Sequence, residues 1–270
     1  MKPQIAACLT ALLQRLLLLF IVLTVPLRAQ ETPKPLLIAA AADLKFALDE
    51  VLVAFRTAHP GHEAKATYGA SGTLFAQIDN GAPFDLFLSA DVKFPQQLIA
   101  RGKADKDSLF LYAIGHLVIW KPKESNLDVA QLGAKALLDP SVRKVAIANP
   151  DVAPYGAAAV AALKSLGVYD AVKEKFVLGE NVAQAAQFVQ SGAADAGIIS
   201  LSLALSPRMK DAGRTWEVPM SAFPRLEQAG AIRTNTANRA GAAQLRDFLS
   251  APAGREILKR YGFLLPDDAK

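Results

Sequence analysis

Short apolar segments alternate with amphipathic segments along most of this 270-residue chain. The apolar run 36–39 predicts a buried strand. Apolar residues at helical spacing predict a helix over 44–58, which Pro60-Gly61 ends. The same order repeats downstream, and strands that alternate with helices are typical of α/β folds with mainly parallel strands. The pattern therefore predicts an α/β fold.

The alternation occurs in two sets. A longer apolar strand over 111–121 predicts a crossover from the first set to the second, and the stretch 216–234 predicts a return. We therefore predict two αβ domains with mainly parallel central sheets, joined by crossover hinge strands. The predicted parts are a signal peptide (1–29), a discontinuous first domain (30–112 plus 229–270) and a second domain with the hinge strands (113–228).

The first 29 residues have the composition of an export signal. Lys2 and Arg15 precede the apolar run 16–25, and the segment ends on the small residue Ala29. An apolar run of about ten residues is too short for a transmembrane helix, which needs roughly 20. We predict a cleaved secretory signal and a periplasmic protein. An uncleaved N-terminal anchor is the alternative.

Charge and cysteine content exclude several classes of protein. The formal charge of +5 falls to +2 without the three positive residues of the signal segment. The rest of the chain has no Lys/Arg cluster, so it lacks the electrostatic footprint of a nucleic-acid-binding protein. The only cysteine, Cys8, lies in the signal segment. A disulfide framework and a Cys-based zinc site are therefore excluded. A hydrophobic content of 52% excludes a disordered chain.

No residue pattern for catalysis is evident. The stretch 69–72, Gly-Ala-Ser-Gly, lacks the spacing of a nucleophile elbow, and no phosphate-binding loop or dinucleotide fingerprint occurs. His59 and His62 with Glu63 could bind a metal, but two loop histidines are more often solvated. We interpret His116, inside an apolar strand, as a packed or interface histidine rather than a base.

Four strand-to-helix turns are rich in small and hydroxyl-bearing residues: 39–43, 68–73, 148–157 and 179–184. In open α/β sheets, the carboxyl ends of the strands and the helix N-termini that follow them face one crevice. Helix N-termini carry free N–H groups and partial positive charge, so they bind anions without Lys or Arg. The turns therefore indicate an anion-binding cleft.

Each turn also has a purely structural interpretation. Asp43, Ser71 and Asn181 are all good helix N-cap residues. Pro154 and Gly156 are residues that commonly shape a loop. Four such turns, two in each predicted domain, nevertheless favour a ligand cleft over four unrelated caps.

At these turns the sequence resembles the periplasmic molybdate-binding proteins of ABC transporters. The likeness extends from Leu36 to Leu265. It rests on the following stretches together: Ala41-Ala42-Asp43-Leu44, Ala70-Ser71-Gly72-Thr73-Leu74, the segment 81–91, Asn149-Pro150, Ala153-Pro154-Tyr155-Gly156, the segment 179–184 and Arg260-Tyr261-Gly262-Phe263.

The resemblance implies two αβ domains that close on a tetrahedral oxyanion held by hydroxyl and backbone N–H groups. Position by position, Ser71 would donate its hydroxyl and its N–H. Tyr155 and Val182 would donate their N–H groups. The first-turn position of the family falls at Ala42 or Asp43.

Two positions depart from the family pattern. Many members have Ser, Thr or Asn where this chain has Ala42-Asp43. Because a carboxylate repels a nearby dianion, we expect Asp43 to turn its carboxylate away, cap its helix and offer only its N–H. Some members also have a Tyr hydroxyl where Ser200 falls. That donor would be absent, shorter or supplied from elsewhere, with Tyr155 as one source.

The resemblance implies an exported, monomeric receptor that captures molybdate or tungstate and passes it to a membrane ABC permease. The hinge would lie near 113–121 and 217–232. No cofactor, bare metal ion or nucleic acid is expected. One alternative is a receptor for sulfate, phosphate or a small organic acid. The other is a periplasmic α/β enzyme, against which the lack of an acid/base pair beside Ser71 argues.

Overall fold

The computed structural model describes residues 34–268. The signal peptide predicted over 1–29 lies outside the described residues. Within the described part of the chain, no helix combines the length and the apolarity needed to cross a bilayer.

Strands and helices alternate along the described chain, as the sequence pattern predicts. The strands are β1 (Leu36–Ala41), β2 (Ala64–Gly69), β3 (Leu86–Ser89), β4 (Phe110–Gly115), β5 (Leu117–Pro122), β6 (Val145–Ala148), β7 (Phe176–Gly179), β8 (Ala196–Ser200), β9 (Gly213–Glu217) and β10 (Leu226–Ile232). The α-helices are α1 (Lys45–Ala58), α2 (Ser71–Asp79), α3 (Lys93–Ala100), α4 (Val129–Leu132), α5 (Pro154–Ser165), α6 (Tyr169–Val172), α7 (Val182–Gln190), α8 (Leu201–Ala204), α9 (Arg239–Ser250) and α10 (Pro252–Arg260).

The strands form two five-stranded sheets of the same design. The first has the order β2-β1-β3-β10-β4 and the second β7-β6-β8-β5-β9. In the first sheet β10 is antiparallel to both of its neighbours, and β5 has that position in the second. The other four strands of each sheet therefore run in one direction. The prediction of two αβ domains with mainly parallel sheets is confirmed.

The chain passes between the sheets at two places. It leaves the first sheet after β4 and enters the second with β5, and it returns between β9 and β10. The prediction of a single strand over 111–121 is therefore wrong. This stretch forms two strands, β4 and β5, which separate at His116 and belong to different sheets. The domain boundaries predicted at 112/113 and 228/229 fall inside β4 and β10. We call 34–115 with 226–268 the first lobe and 117–217 the second lobe.

Each lobe has its own apolar core. In the first lobe, Leu48, Val51 and Phe55 form the buried face of α1 and belong to one cluster with residues of α9 and α10. The C-terminal helices thus pack on the first lobe, as the sequence predicts. The core of the second lobe includes Trp120 and Ile147, and it reaches Ala42 and Ala70 of the first lobe. The two lobes therefore meet where the predicted cleft lies.

Candidate anion-binding site

A small pocket lies between the lobes, at the ends of strands from both sheets. The free space around it, open solvent included, is about 190 Å³. All five residues singled out from the sequence line it. The full lining comprises Ala41, Ala42, Asp43, Gly69, Ala70, Ser71, Ala90, Ala153, Pro154, Tyr155, Asn181 and Val182. The structure thus brings together four turns that lie up to about 140 residues apart in the chain. This is expected, because the carboxyl ends of the strands in open α/β sheets face one crevice. The ligand roles of these residues stay a prediction.

Ser71 places a hydroxyl group on the first-lobe wall of this pocket. It is the first residue of α2, and its side chain, 1% exposed, caps nothing, because the N-cap residue is Ala70. The structural alternative of Ser71 as an N-cap is therefore wrong. Instead, Ser71 Oγ accepts a hydrogen bond from the Ala90 N–H at 3.0 Å. Because this bond uses an acceptor site of the oxygen, the hydroxyl hydrogen stays available for a ligand.

The second-lobe wall is made by the first turns of two helices. Pro154 and Tyr155 open α5, and Val182 opens α7. The first N–H groups of a helix have no carbonyl partner within the helix, and they carry its partial positive charge. Pro154 has no N–H group, so Tyr155 is the first residue of α5 that can donate one. This wall therefore offers backbone donors.

Asn181 has the role of a cap. Its side-chain oxygen accepts hydrogen bonds from the N–H groups of Ala183 at 3.0 Å and Gln184 at 3.1 Å. The N-cap interpretation of Asn181 is thus correct. Since this cap does not engage the N–H of Val182, that group is left for the pocket.

Asp43 does not take the role expected from the sequence. It lies in a 3₁₀ turn over Ala42–Leu44 and is the N-cap residue of neither that turn nor α1, whose N-cap residues are Ala41 and Leu44. The capping prediction is therefore wrong. The carboxylate is 1% exposed, and its Oδ2 accepts a hydrogen bond of 2.5 Å from Gln228 Nε2 of β10. Its other oxygen, Oδ1, is buried without a hydrogen-bond partner among the described residues.

Burial changes the acidity of this carboxyl group. Removal from water raises the pKa of Asp43 from 3.8 to about 6, against the opposing effect of hydrogen bonding, chiefly from Gln228. Burial and the nearby Asp43 charge raise the pKa of the Tyr155 hydroxyl well above 10.0. Asp43 is the one charged residue among those that line the pocket.

The Tyr155 hydroxyl belongs to the same buried cluster. Gln228 Nε2 donates to it at 3.2 Å. A Cβ atom added at Gly115 would lie 2.2 Å from this oxygen, so only glycine leaves room for the ring. Ser200, the other candidate donor, caps α8 by accepting from the Leu203 N–H at 3.3 Å, and it does not line the pocket.

Direct hydrogen bonds join the two lobes around the pocket. The Gly72 N–H of the first lobe donates to the Val152 carbonyl of the second at 2.8 Å. Ser202 Oγ of the second lobe donates to the Asp43 carbonyl at 2.8 Å. The structure therefore represents a closed arrangement of the lobes.

The histidines take structural positions. His59 and His62 pack against Phe55, with ring centroids 4.7 and 6.2 Å away. No group of three or more His, Cys, Asp or Glu side chains suited to a metal ion occurs between residues 34 and 268. His116 separates β4 from β5, its Nδ1 lies 3.9 Å from Glu217 Oε2, and burial lowers its pKa.

A second, larger groove lies on the side of α1 and α7, where both lobes contribute. Its free space, open solvent included, is about 700 Å³, and its lining includes two cationic residues, Lys45 and Arg208. Phe46, Leu203 and Met209 supply apolar surface. Lys45 pairs with Asp49 at 3.2 Å. The groove has no signature in the sequence, because its residues belong to no common motif.

Gln228 is the site residue that sequence analysis missed. It is fully buried, and its two neighbours in the pocket wall, Asp43 and Tyr155, lie 185 and 73 positions away in the chain. The available signal was a single amide side chain within the apolar strand β10 (Leu226–Ile232). A buried polar residue in such a strand requires partners.

The fold and the site define a class: a two-lobed protein that holds a small ligand between its lobes. Residues 36–264 match the family "Bacterial extracellular solute-binding protein". The chain belongs to that family.

Relatives with assigned ligands are similar over most of their length. The molybdate-binding protein ModA of Azotobacter vinelandii is 36% identical over 226 residues, which are 84% of this chain and 88% of the relative. ModA of Rhodobacter capsulatus is 35% identical over 84% of this chain and 86% of the relative. The solved periplasmic molybdate-binding protein of Azotobacter vinelandii superposes with a TM-score of 0.80 at 35% identity, covering 86% of this chain and 99% of that one.

Proposed function

We propose that this protein is an exported receptor that captures molybdate, or the similar anion tungstate, between its lobes and delivers it to a membrane ABC permease. The observation that carries the proposal is the convergence of Ser71, Tyr155 and Val182 on one small pocket without a cationic side chain. The names of the relatives supply the identity of the anion.

The donors of the pocket suit a fully deprotonated oxyanion. A bare tetrahedral dianion has only acceptor oxygens, so it needs N–H and O–H donors on all sides. The Ser71 hydroxyl and the first turns of α2, α5 and α7 offer such donors from both lobes. Closure of the lobes excludes water, which strengthens each hydrogen bond to a charged oxygen.

Size would distinguish molybdate from sulfate, since the two anions share charge and shape. Donors held by helix ends and by packed lobes cannot follow a smaller anion inward. A smaller anion therefore leaves some of these buried donors without partners, which costs binding energy.

The remaining properties follow from this role. The protein acts in the periplasm as a monomer, contacts its permease transiently and binds no nucleic acid or cofactor. No bond of the ligand is made or broken. Asp43 and Tyr155 are the titratable side chains that line the pocket. Ser71 Oγ accepts from the Ala90 N–H, and among the described residues its hydroxyl donates to no general base.

Calorimetric titration with a panel of oxyanions tests the proposal. The mature protein is titrated with molybdate, tungstate, sulfate and phosphate at equal ionic strength. We expect tight one-to-one binding of molybdate and tungstate and much weaker binding of sulfate and phosphate. Tighter binding of sulfate or phosphate would assign a receptor for that anion instead. Turnover of a phosphate or sulfate ester by the same preparation would support the enzyme alternative.

A further inference from the structure

A buried acid stands in the wall of a pocket proposed to take a dianion. Asp43 is 1% exposed, whereas Ser71 and Val182, also in the wall, are uncharged. A charge that is removed from water without a counter-ion is strongly destabilised, and a second negative charge nearby adds to this effect. An ionised Asp43 would therefore destabilise the anion in the closed pocket unless one negative charge is neutralised.

The groups that face Asp43 come from four elements, and none of them is cationic. Gln228 on β10 donates to Oδ2, and Tyr155 on α5 lies beside the carboxyl group. Burial first, and the nearby Asp43 charge after it, raise the pKa of the Tyr112 hydroxyl on β4. That hydroxyl donates to the Ser89 carbonyl at 2.9 Å. Ser202 of α8 bonds only the backbone carbonyl of Asp43.

These contacts leave one carboxyl oxygen free for a proton. Oδ2 accepts a hydrogen bond from the Gln228 amide, so this oxygen acts as an acceptor and does not carry the proton. Oδ1 is buried and has no partner in the described part of the chain. A protonated Oδ1 becomes an O–H donor, which is what a bare oxyanion requires from every neighbour.

We propose that the site binds its anion together with one proton, which Asp43 takes up from solvent and uses to donate a hydrogen bond from Oδ1 to an anion oxygen. Asp43 is then a specificity-determining residue, and the inference rests on the proposed function. The proton neutralises one of the three negative charges in the closed pocket. Burial already favours the protonated acid, because it raises the pKa of Asp43 to about 6 before any anion is present.

Proton-linked calorimetry tests this inference. Wild-type protein is titrated with molybdate at about pH 7 and about pH 8, each in two amine buffers that differ in ionisation enthalpy. We expect uptake of about one proton per anion and a Kd that rises roughly tenfold per pH unit, as linkage requires. Asp43→Asn keeps an oxygen acceptor for Gln228 but cannot titrate. Its Kd should be independent of pH within about twofold, with no proton taken up.

Asp91→Asn is the matched control. Burial also raises the pKa of Asp91, but this residue lies outside the pocket lining and accepts from the Phe94 N–H at 3.2 Å. The Asp91→Asn variant should take up a proton on binding molybdate, as wild type does. Wild-type binding without proton uptake, or equal uptake by Asp43→Asn, would overturn the inference and leave the receptor function standing. Failure of wild type to bind molybdate at either pH would overturn both. The wild-type measurement decides alone if Asp43→Asn does not fold.

Discussion

The two walls of the pocket present different chemistry. The second-lobe wall offers the backbone N–H groups of Tyr155 and Val182 at the starts of two helices. The first-lobe wall adds two buried side chains, the Ser71 hydroxyl and the Asp43 carboxyl group. The backbone wall tolerates changes of side chain as long as the helices begin at the same residues. The side-chain wall changes its properties with a single substitution.

This difference separates two tasks. A ring of N–H groups recognises any oxyanion that fits, because every such anion presents acceptor oxygens. A hydroxyl and a carboxyl group also respond to the protonation state of the anion, since one can donate and accept and the other can titrate. We therefore propose that the N–H groups of the second lobe capture any oxyanion of fitting size, and that the first lobe adds selection by the protonation state of the anion.

Ser71→Ala should have the largest effect. It removes a hydroxyl donor to the anion, and a hydrogen bond to a charged group is worth about 1.5–3 kcal/mol, so molybdate affinity should fall roughly tenfold to 150-fold. It also leaves the buried Ala90 N–H without its acceptor, which should lower the free energy of unfolding by about 1–3 kcal/mol. Calorimetry and denaturant unfolding measure the two effects.

Thr73→Ala is the control for this prediction, because Thr73 lies in the same helix with an exposed side chain. Its affinity and stability should stay close to wild type. An unchanged molybdate affinity in Ser71→Ala would show that the Ser71 hydroxyl does not bind the anion.

Asp43→Asn should stabilise the anion-free protein at neutral pH. Folding raises the pKa of Asp43 from 3.8 to about 6, so the folded protein binds more protons than the unfolded chain between these values. The stability contributed by the neutral acid is therefore complete below about pH 4 and is lost as the pH rises through about 6. At pH 7 the free energy of unfolding of the Asn variant should exceed that of wild type by up to about 3 kcal/mol, so the variant should unfold at a higher denaturant concentration.

The gain should disappear near pH 4, where the wild-type acid is neutral as well. Unfolding curves of both proteins at about pH 4 and about pH 7 check this difference. An Asn variant that is less stable than wild type at pH 7 would mean that the Asp43 charge supports the fold.

Val182→Pro tests the backbone wall directly. Proline is favoured at the first position of a helix, and Asn181 before it has φ −147° and ψ 175°, an extended conformation that proline accepts. The substitution removes one N–H group and keeps α7. Molybdate affinity should fall about tenfold, the lower end of the range for a hydrogen bond to a charged group. Val182→Ala keeps the N–H group and should bind within about threefold of wild type in the same titration.

Gly72→Ala tests whether the two walls must meet, and we expect the smallest effect from it. An added Cβ atom would lie 2.8 Å from the Val152 carbonyl oxygen across the cleft, so the lobes must separate slightly. Overpacking of about 1 kcal/mol should lower the affinity about fivefold. Gly241→Ala is the control, since its Cβ would meet nothing closer than 3.8 Å. Equal affinities of the two variants would argue against closure at Gly72.

Much of the architecture was predictable from periodicity. The alternation of apolar and amphipathic segments indicated two αβ domains with mainly parallel sheets, because strands and helices have different hydrophobic periods. The break at His116 was not predictable in this way. The run 111–121 is apolar on both sides of it, and only the pairing of β4 and β5 with different sheets separates them.

The pocket was predictable in its backbone but not in its side-chain network. Turn chemistry pointed to the starts of α2, α5 and α7, where local residue types decide the structure. The direction of the Asp43 carboxylate depends on Gln228, 185 positions away. A local rule therefore assigned Asp43 to a cap, whereas tertiary contacts bury its carboxyl group beside Tyr155.

The most direct test is a crystal structure of the molybdate complex with anomalous data at the molybdenum edge. A single anomalous peak should lie between the lobes, with anion oxygens about 2.7–3.2 Å from Ser71 Oγ and from the N–H groups of Tyr155 and Val182. An anomalous peak in the groove beside Lys45 and Arg208 instead would show that cationic side chains hold the anion. That result would contradict the account of capture by uncharged donors.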